Sequence, residues 1–173
     1  MLEQPRYRFL IQQYKNRIYT YSLYMLKNKM DADDVTQEVM IRIWKNIDGF
    51  NVFAAKTWIM KTTHNLCIDY LRKRSVALNR ELEINELVEE SIEADRSEEN
   101  PYLITHIKIM ASKVKEAIQR LPENLRSVFV LYEIQCLKYK EISKTLDMPL
   151  NSVKVYLLRA RKKLQEELKG YET

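Results

Sequence analysis

Gly49 and Gly170 are the only glycines in 173 residues, and there are only four prolines. Average usage is roughly 7% glycine, and hairpins, bulges and sheet turns draw on it for positive-φ backbone. A chain this poor in turn residues is expected to build long helices with short connections. The same shortage excludes function classes. A Rossmann site or a P-loop needs glycines where backbone meets phosphate, and no segment here supplies them. The length suits one domain or two small ones, and 46% hydrophobic residues are enough for a core.

The net charge of +5 hides unlike parts. Residues 1–80 carry 14 basic and 7 acidic side chains, and residues 101–173 carry 14 and 8. Between them, residues 81–100 (ELEINELVEESIEADRSEEN) hold nine acids against Arg96 alone. Two basic segments flank an acidic one that has no sustained apolar period and leads into Asn100-Pro101, which reads as a linker. Basic segments of this size suit a polyanionic partner as well as they suit solvated helix surfaces. The linker would repel DNA, so any DNA contact should come from the flanking units.

Apolar periodicity places the helices. Ile11, Tyr14, Ile18, Tyr21 and Met25 fall at spacings of 3 and 4 within residues 6–28. Asp31 or Asp33 is expected to cap a second helix, in which Val35, Val39, Ile43 and Ile47 recur and which Gly49 ends. A third, from about Ala54 to Arg74, carries Trp58, Ile59, Thr62, Leu66 and Leu71 and closes on Arg72-Lys73-Arg74, cations at the negative helix end. After the linker, Leu103, Ile107, Met110, Val114, Ala117, Ile118 and Leu121 mark a helix ended by Pro122. Pro122 opens the next, with Leu125, Val128, Phe129 and Tyr132 on one face. A short helix spans Tyr139 to Leu146, and a final one, capped by Asn151 or Ser152, buries Val153, Leu157, Ala160, Leu164 and Leu168.

The last two helices, KEISKTL and NSVKVYLLRARKKL with four residues between, have the form of a helix-turn-helix. Ser143 is small where the two would cross. With 153, 157, 160 and 164 inward, Lys154, Val155, Leu158, Arg159 and Lys162 face outward. Cations with Leu158 among them suit a major groove, phosphates taking the charges and thymine methyls the apolar group. In the first half, Asp34, Gln37, Glu38 and Arg42 share a polar helix face that could be merely solvated or could dock on an Arg-rich helix. Trp58, Lys61, Asn65 and Asp69 form a ridge able to stack on, neutralise and hydrogen-bond single-stranded bases, although a lone Trp is more often core.

His64 and Cys67 are three residues apart, but a zinc site needs four convergent ligands, and a Cys–His nucleophile needs an orienting group and a pocket. No catalytic residue, metal or cofactor is expected. Cys67 and Cys136 give no disulfide framework and fit buried thiols in a reducing compartment. No stretch approaches the ~18 apolar residues of a membrane span, and MLEQPRYRFLIQQY has no signal-peptide core. A cytoplasmic protein without membrane insertion is expected.

The segments DADDVTQEVMIRIW, KTWIMKTTHNLCIDYLRKR and LPENLRSVFVLYEIQCLKYKEISKTLDMPLNSVKVYLLRARKKL, in that order and at that separation, resemble the extracytoplasmic-function subgroup of bacterial sigma factors. The likeness spans roughly residues 6–75 and 110–168. It implies an all-α chain with a region-2 domain at 1–76, an acidic linker at 77–101 and a region-4 helix-turn-helix domain at 102–173. It further implies docking of the second helix on the clamp coiled coil of core RNA polymerase, with Asp34, Gln37 and Glu38 at matching positions. The loop from Asn51 to Lys56 matches the specificity loop for a flipped base of the −10 non-template strand, and Asn65 matches the base-pocket amide, beside Trp58 and Lys61. Lys154, Val155, Leu158 and Arg159, with Lys162 beyond, match the −35 reading positions. The linker resembles the segment that threads the polymerase RNA path, and an anti-sigma factor is an implied partner. Where the family often has Phe-x-Gly before the Thr-Trp pair, this chain reads FNVFAAKTW.

A stand-alone helix-turn-helix regulator is the alternative. It would need a ligand pocket or receiver in the first half, which three polar-ridged helices do not resemble. A small helical metalloenzyme is a distant third.

Overall fold

A computed structural model describes residues 3–82 and 103–171. Among them every regular element is helical: α1 Glu3–Leu26, α2 Lys29–Lys45, α3 Val52–Leu82, α4 Leu103–Arg120, α5 Glu123–Phe129, α6 Tyr139–Leu146 and α7 Leu150–Leu168. A 3₁₀ turn, Ile47–Gly49, joins α2 to α3, and α5 widens into a π-helical turn, Val130–Ile134. The acidic stretch from 83 onward, and with it the RNA-path expectation, lies outside the described residues.

The expected faces are the buried ones. Ile18, Tyr21 and Met25 of α1 close on Val35, Val39 and Ile43 of α2 and on Ile59, Met60, Leu66 and Cys67 of α3. In the second half, Ala117, Ile118, Leu121, Leu125, Val128, Ile142, Val153, Leu157, Ala160 and Leu164 are buried. The two sets join into one apolar cluster. α1 packs not only on α2 and α3 but also on α4, α5 and the π turn, while α6 lies against α3.

Several boundaries differ from the sequence expectation. The cap of α2 is Asn28, whose side chain accepts from the Asp31 N–H at 3.0 Å; Asp31 and Asp33 both sit inside the helix. α2 stops at Lys45, where the Asn46 amide nitrogen donates to the Arg42 carbonyl at 2.8 Å, and Gly49 closes only the 3₁₀ turn. α3 runs past Arg74 to Leu82 because Ser75 to Leu82 contain no helix breaker. Arg74 serves a tertiary role, donating to the Leu26 carbonyl at 2.8 Å and pairing with Asp31. α7 begins at Leu150, after Pro149, so Asn151 and Ser152 lie in its first turn and the connection is the three residues Asp147 to Pro149. Pro149 holds the cap position with extended backbone, ψ 144°, and its carbonyl accepts the Val153 N–H at 3.2 Å. Cys136 is exposed, with φ 57°. On α4 the expected apolar face is not wholly buried: Ala117, Ile118 and Leu121 are, but Ile107 is 66% and Val114 38% exposed.

Candidate nucleic-acid interface

α6 and α7 meet as the helix-turn-helix requires. Ser143 is half-buried at the crossing, and its hydroxyl donates to the Met148 carbonyl at 2.6 Å, clamping the turn. The Met148 N–H returns to the Ser143 carbonyl at 3.1 Å. Asp147 caps α6 in the left-handed region, φ 51°. With Val153, Leu157, Ala160 and Leu164 buried, the opposite face presents Lys154, Val155, Leu158, Arg159 and Lys162, all exposed. Leu158 is 68% exposed and Val155 43%, apolar groups held in water on an otherwise cationic face. Behind it, Tyr132 and Tyr139 stack with ring centroids 5.0 Å apart. Arg161 lies over Tyr132 and donates to Glu133 at 2.6 Å, and Lys154 Nζ lies 5.9 Å from the Tyr139 ring centre. These contacts tie α7 to the segment from Tyr132 to Tyr139.

The first half presents two surfaces. On α2, Asp34 and Gln37 are exposed, and Glu38 accepts from Arg42 Nε at 2.9 Å, the spacing of adjacent turns. On α3, Asn65 is exposed, Trp58 is half-buried edge-on to Phe50 with centroids 4.7 Å apart, and Asn51 is exposed at the helix entrance. The two lysines of this surface are engaged. Lys56 Nζ lies 3.3 Å from both carboxylate oxygens of Glu141, and Lys61 Nζ lies 2.9 Å from Asp147. Glu141 belongs to α6 and Asp147 to the helix-turn-helix turn. Burial alone would raise the Glu141 pKa, but the Lys138 N–H, donating at 2.8 Å, and the Lys56 ammonium hold it below its ordinary value.

The structure therefore sets the −35-matching face outward and turns the cationic part of the −10-matching face toward the other half. Further contacts hold this arrangement. Arg126 is buried and donates to the Gln119 and Leu121 carbonyls at 2.9 and 3.2 Å, and across the halves to the Met25 carbonyl at 3.0 Å. Its Nε has no hydrogen-bond partner among the described residues, and burial lowers its pKa. Arg17 and Gln135 exchange two bonds of 3.1 Å, each using the other's side chain or backbone. Periodicity did not pick out Arg126, Gln135, Glu141 or Asp147. Glu141 carries a local signal, its place as N3 of α6, but none of the four has a sequence neighbour that reveals its distant partner.

His64 is not poised as a ligand. Its Nδ1 and the Tyr21 hydroxyl share a hydrogen bond of 2.7 Å, and burial lowers its pKa to about 4. Burial likewise pushes the Cys67 thiol up to about 12, so that sulfur stays a protonated core group. Among the described residues, no three His, Cys, Asp or Glu side chains converge on a metal position, and no helix is long and apolar enough to cross a membrane.

Comparison with known proteins matches residues 10–76 to sigma-70 region 2 and residues 111–164 to sigma-70 region 4. The chain is 28% identical to the ECF RNA polymerase sigma factor SigE of Mycolicibacterium smegmatis over 95% of its own length, spanning 62% of that longer protein. It is 28% identical to SigW of Bacillus subtilis, covering 96% of this chain and 91% of that one. Among solved structures, the sigma factor RpoE of Bartonella quintana, in complex with the anti-sigma factor NepR, superposes with a TM-score of 0.75 at 18% identity, over 94% of this chain and 96% of that one. CnrH, in complex with the cytosolic domain of CnrY, gives 0.69 at 18% identity, over 96% and 90%. With both regions present in order behind an all-helical fold, the chain belongs to the extracytoplasmic-function (ECF) family of RNA polymerase sigma factors.

Proposed function

We propose that this protein binds core RNA polymerase in the cytoplasm and directs it to promoters, without an active site of its own. Residues 1–76 form the unit that docks on polymerase through Asp34, Gln37 and Glu38. The same unit takes up the single-stranded −10 element through Asn51, Lys56, Trp58, Lys61 and Asn65. Residues 102–173 read duplex −35 DNA through Lys154, Val155, Leu158, Arg159 and Lys162, and residues 77–101 link the two. The observation that carries this reading is the outward face of α7, cationic with exposed Leu158 and Val155 at its middle, on a helix-turn-helix that follows a region-2 unit. The mechanism is positioning. Two modest DNA contacts held on one polymerase act together through high effective concentration, and melting follows where an extruded base is bound better than a stacked one. Lys56 and Lys61 must exchange Glu141 and Asp147 for phosphates on the way. The anti-sigma complex of the Bartonella relative supports an anti-sigma factor as a further partner.

Run-off transcription with purified core polymerase tests the reading. Promoter-specific initiation is expected only when this protein is added. Failure to associate with core polymerase would refute it and favour a stand-alone DNA-binding regulator. Within the reading, Asn65→Ala is expected to reduce open-complex formation, and an unchanged yield would remove Asn65 from the base pocket.

A further inference from the structure

Gln135 is 3% exposed, although glutamines are mostly surface residues. It ends the π turn that widens α5. Its N–H donates to the Val130 carbonyl at 2.9 Å, five residues back, and Cys136 after it turns the chain at φ 57°. Turns this wide are rare and recur at functional sites. Both ends of the Gln135 amide are bonded, and both partners belong to Arg17 of α1, in the other half of the molecule. Arg17 Nε donates to Gln135 Oε1, and Gln135 Nε2 donates to the Arg17 carbonyl, each at 3.1 Å. Arg17 Nη2 also donates to the Gln135 carbonyl, and the guanidinium carbon lies 5.8 Å from the Tyr14 ring centre.

The other polar contacts between the halves are less exclusive. Lys56–Glu141 and Lys61–Asp147 are partly exposed ion pairs, which water replaces at little cost. Arg126 keeps the Gln119 and Leu121 carbonyls of its own half whether or not it reaches Met25. Gln135 has no such reserve. Without Arg17 its amide stays buried and unpaired in the closed arrangement, a costly state, whereas with the halves apart water serves it. We propose that the Arg17–Gln135 pair is a latch that holds the two halves closed in the unbound protein, and that its release uncovers the α3 surface assigned above to the −10 strand. The proposal rests on the sigma-factor reading for that last step alone. Gln135 is uncharged and stands on neither DNA face, so it acts on DNA binding only through the closed–open equilibrium.

The test is single-molecule energy transfer on the full, unbound chain. Dyes are attached through Lys73→Cys on α3 and Glu166→Cys on α7, both exposed positions, in a Cys136→Ser background; Cys67 is buried and escapes labelling. One dominant, closed population is expected. Arg17→Ala and Gln135→Ala are each expected to raise the ratio of open to closed molecules about tenfold, the scale of a lost hydrogen bond to a charged group. The double variant should go no further, because one pair is lost in all three. Without dyes, each variant is expected to bind a single-stranded oligonucleotide, carrying the non-template −10 sequence of a promoter selected from a randomised library, more tightly by the same factor as its open fraction rises. Duplex −35 affinity should not change. A gain by Arg17→Ala is the telling one, since removing a cation by itself weakens DNA binding. An unchanged open fraction in Arg17→Ala, with −35 affinity showing the helix-turn-helix intact, overturns the proposal. So does a native chain found mainly open, or an open fraction that rises without tighter single-strand binding. Failure of the native holoenzyme to initiate at any promoter strikes the sigma-factor reading instead, while the dyes still report on the latch.

Discussion

At the scale of single residues, the scarcity of glycine shows up as backbone held by the wrong side chains. Lys27, Cys136 and Asp147 adopt positive φ, at 57°, 57° and 51°, a region that costs most side-chain-bearing residues about 1–2 kcal/mol. Gly49, in contrast, has neither a positive φ nor any atom within 4 Å of an added Cβ. Cys136→Gly should therefore raise unfolding free energy by about 0.5–1 kcal/mol in urea denaturation, and Gly49→Ala should not lower it. A destabilised Cys136→Gly protein would show that the strain is absent. The composition correctly implied helices, but it could not say that helix ends here would be turned by Lys, Cys and Asp, because nothing in those residues announces a left-handed backbone. His64 makes a second residue-scale case. Folded, it stays neutral down to about pH 4, whereas the unfolded chain protonates near 6.5. Between those values the unfolded state alone gains the proton, so stability falls as pH drops from 6.5 toward 4, at up to about 1.4 kcal/mol per unit. His64→Gln, whose amide can donate to or accept from Tyr21, should lose that part of the pH dependence. Equal slopes for the two proteins between pH 7 and 4.5 would count against the buried neutral imidazole.

Among elements, α7 was the most legible and α3 the least bounded. The 4-3-4 spacing of Val153, Leu157, Ala160 and Leu164 fixes which face is inward, so the exposed set follows by geometry alone. Caps were misplaced because side-chain capping was assumed where Pro149 and a clamped turn do the work. The end of α3 was missed because Arg72, Lys73 and Arg74 look like a dipole-matched terminus, while Arg74 is committed to Leu26 and Asp31. For α7 the test is electrostatic. Lys154→Ala and Arg159→Ala should each weaken −35 duplex binding and reduce the slope of log affinity against log salt by about one counterion. A slope unchanged in both variants would mean that these cations do not reach phosphate. Leu158→Ala should weaken binding with the slope retained, since its contact carries no charge.

For the whole molecule, what the sequence could not disclose is how the halves face each other. The pairs that join them are 85, 86, 101 and 118 residues apart, and no periodicity or motif encodes contacts at such separations. Their chemistry is nevertheless specific: Glu141 and Asp147 place carboxylates against the two lysines assigned to DNA backbone, where phosphates would stand. In this arrangement DNA has to displace those carboxylates as well as bind. Each pair is partly exposed, so each contributes at most about 1 kcal/mol, a barrier that polymerase or DNA can overcome and not a lock. Glu141→Gln with Asp147→Asn removes both charges while sparing the fold, because Gln can still accept the Lys138 N–H at the start of α6 and Asn tolerates the left-handed backbone at residue 147. The unbound double variant should bind a single-stranded −10 non-template oligonucleotide about 3–10-fold more tightly than the native chain at equal salt, read by fluorescence anisotropy. Its duplex −35 affinity should stay the same, because the outward face of α7 takes no part in these pairs. Equal gains for both ligands would indicate a general loss of acidic charge, and no gain for the single strand would show that the two lysines are as accessible with their carboxylate partners as without them.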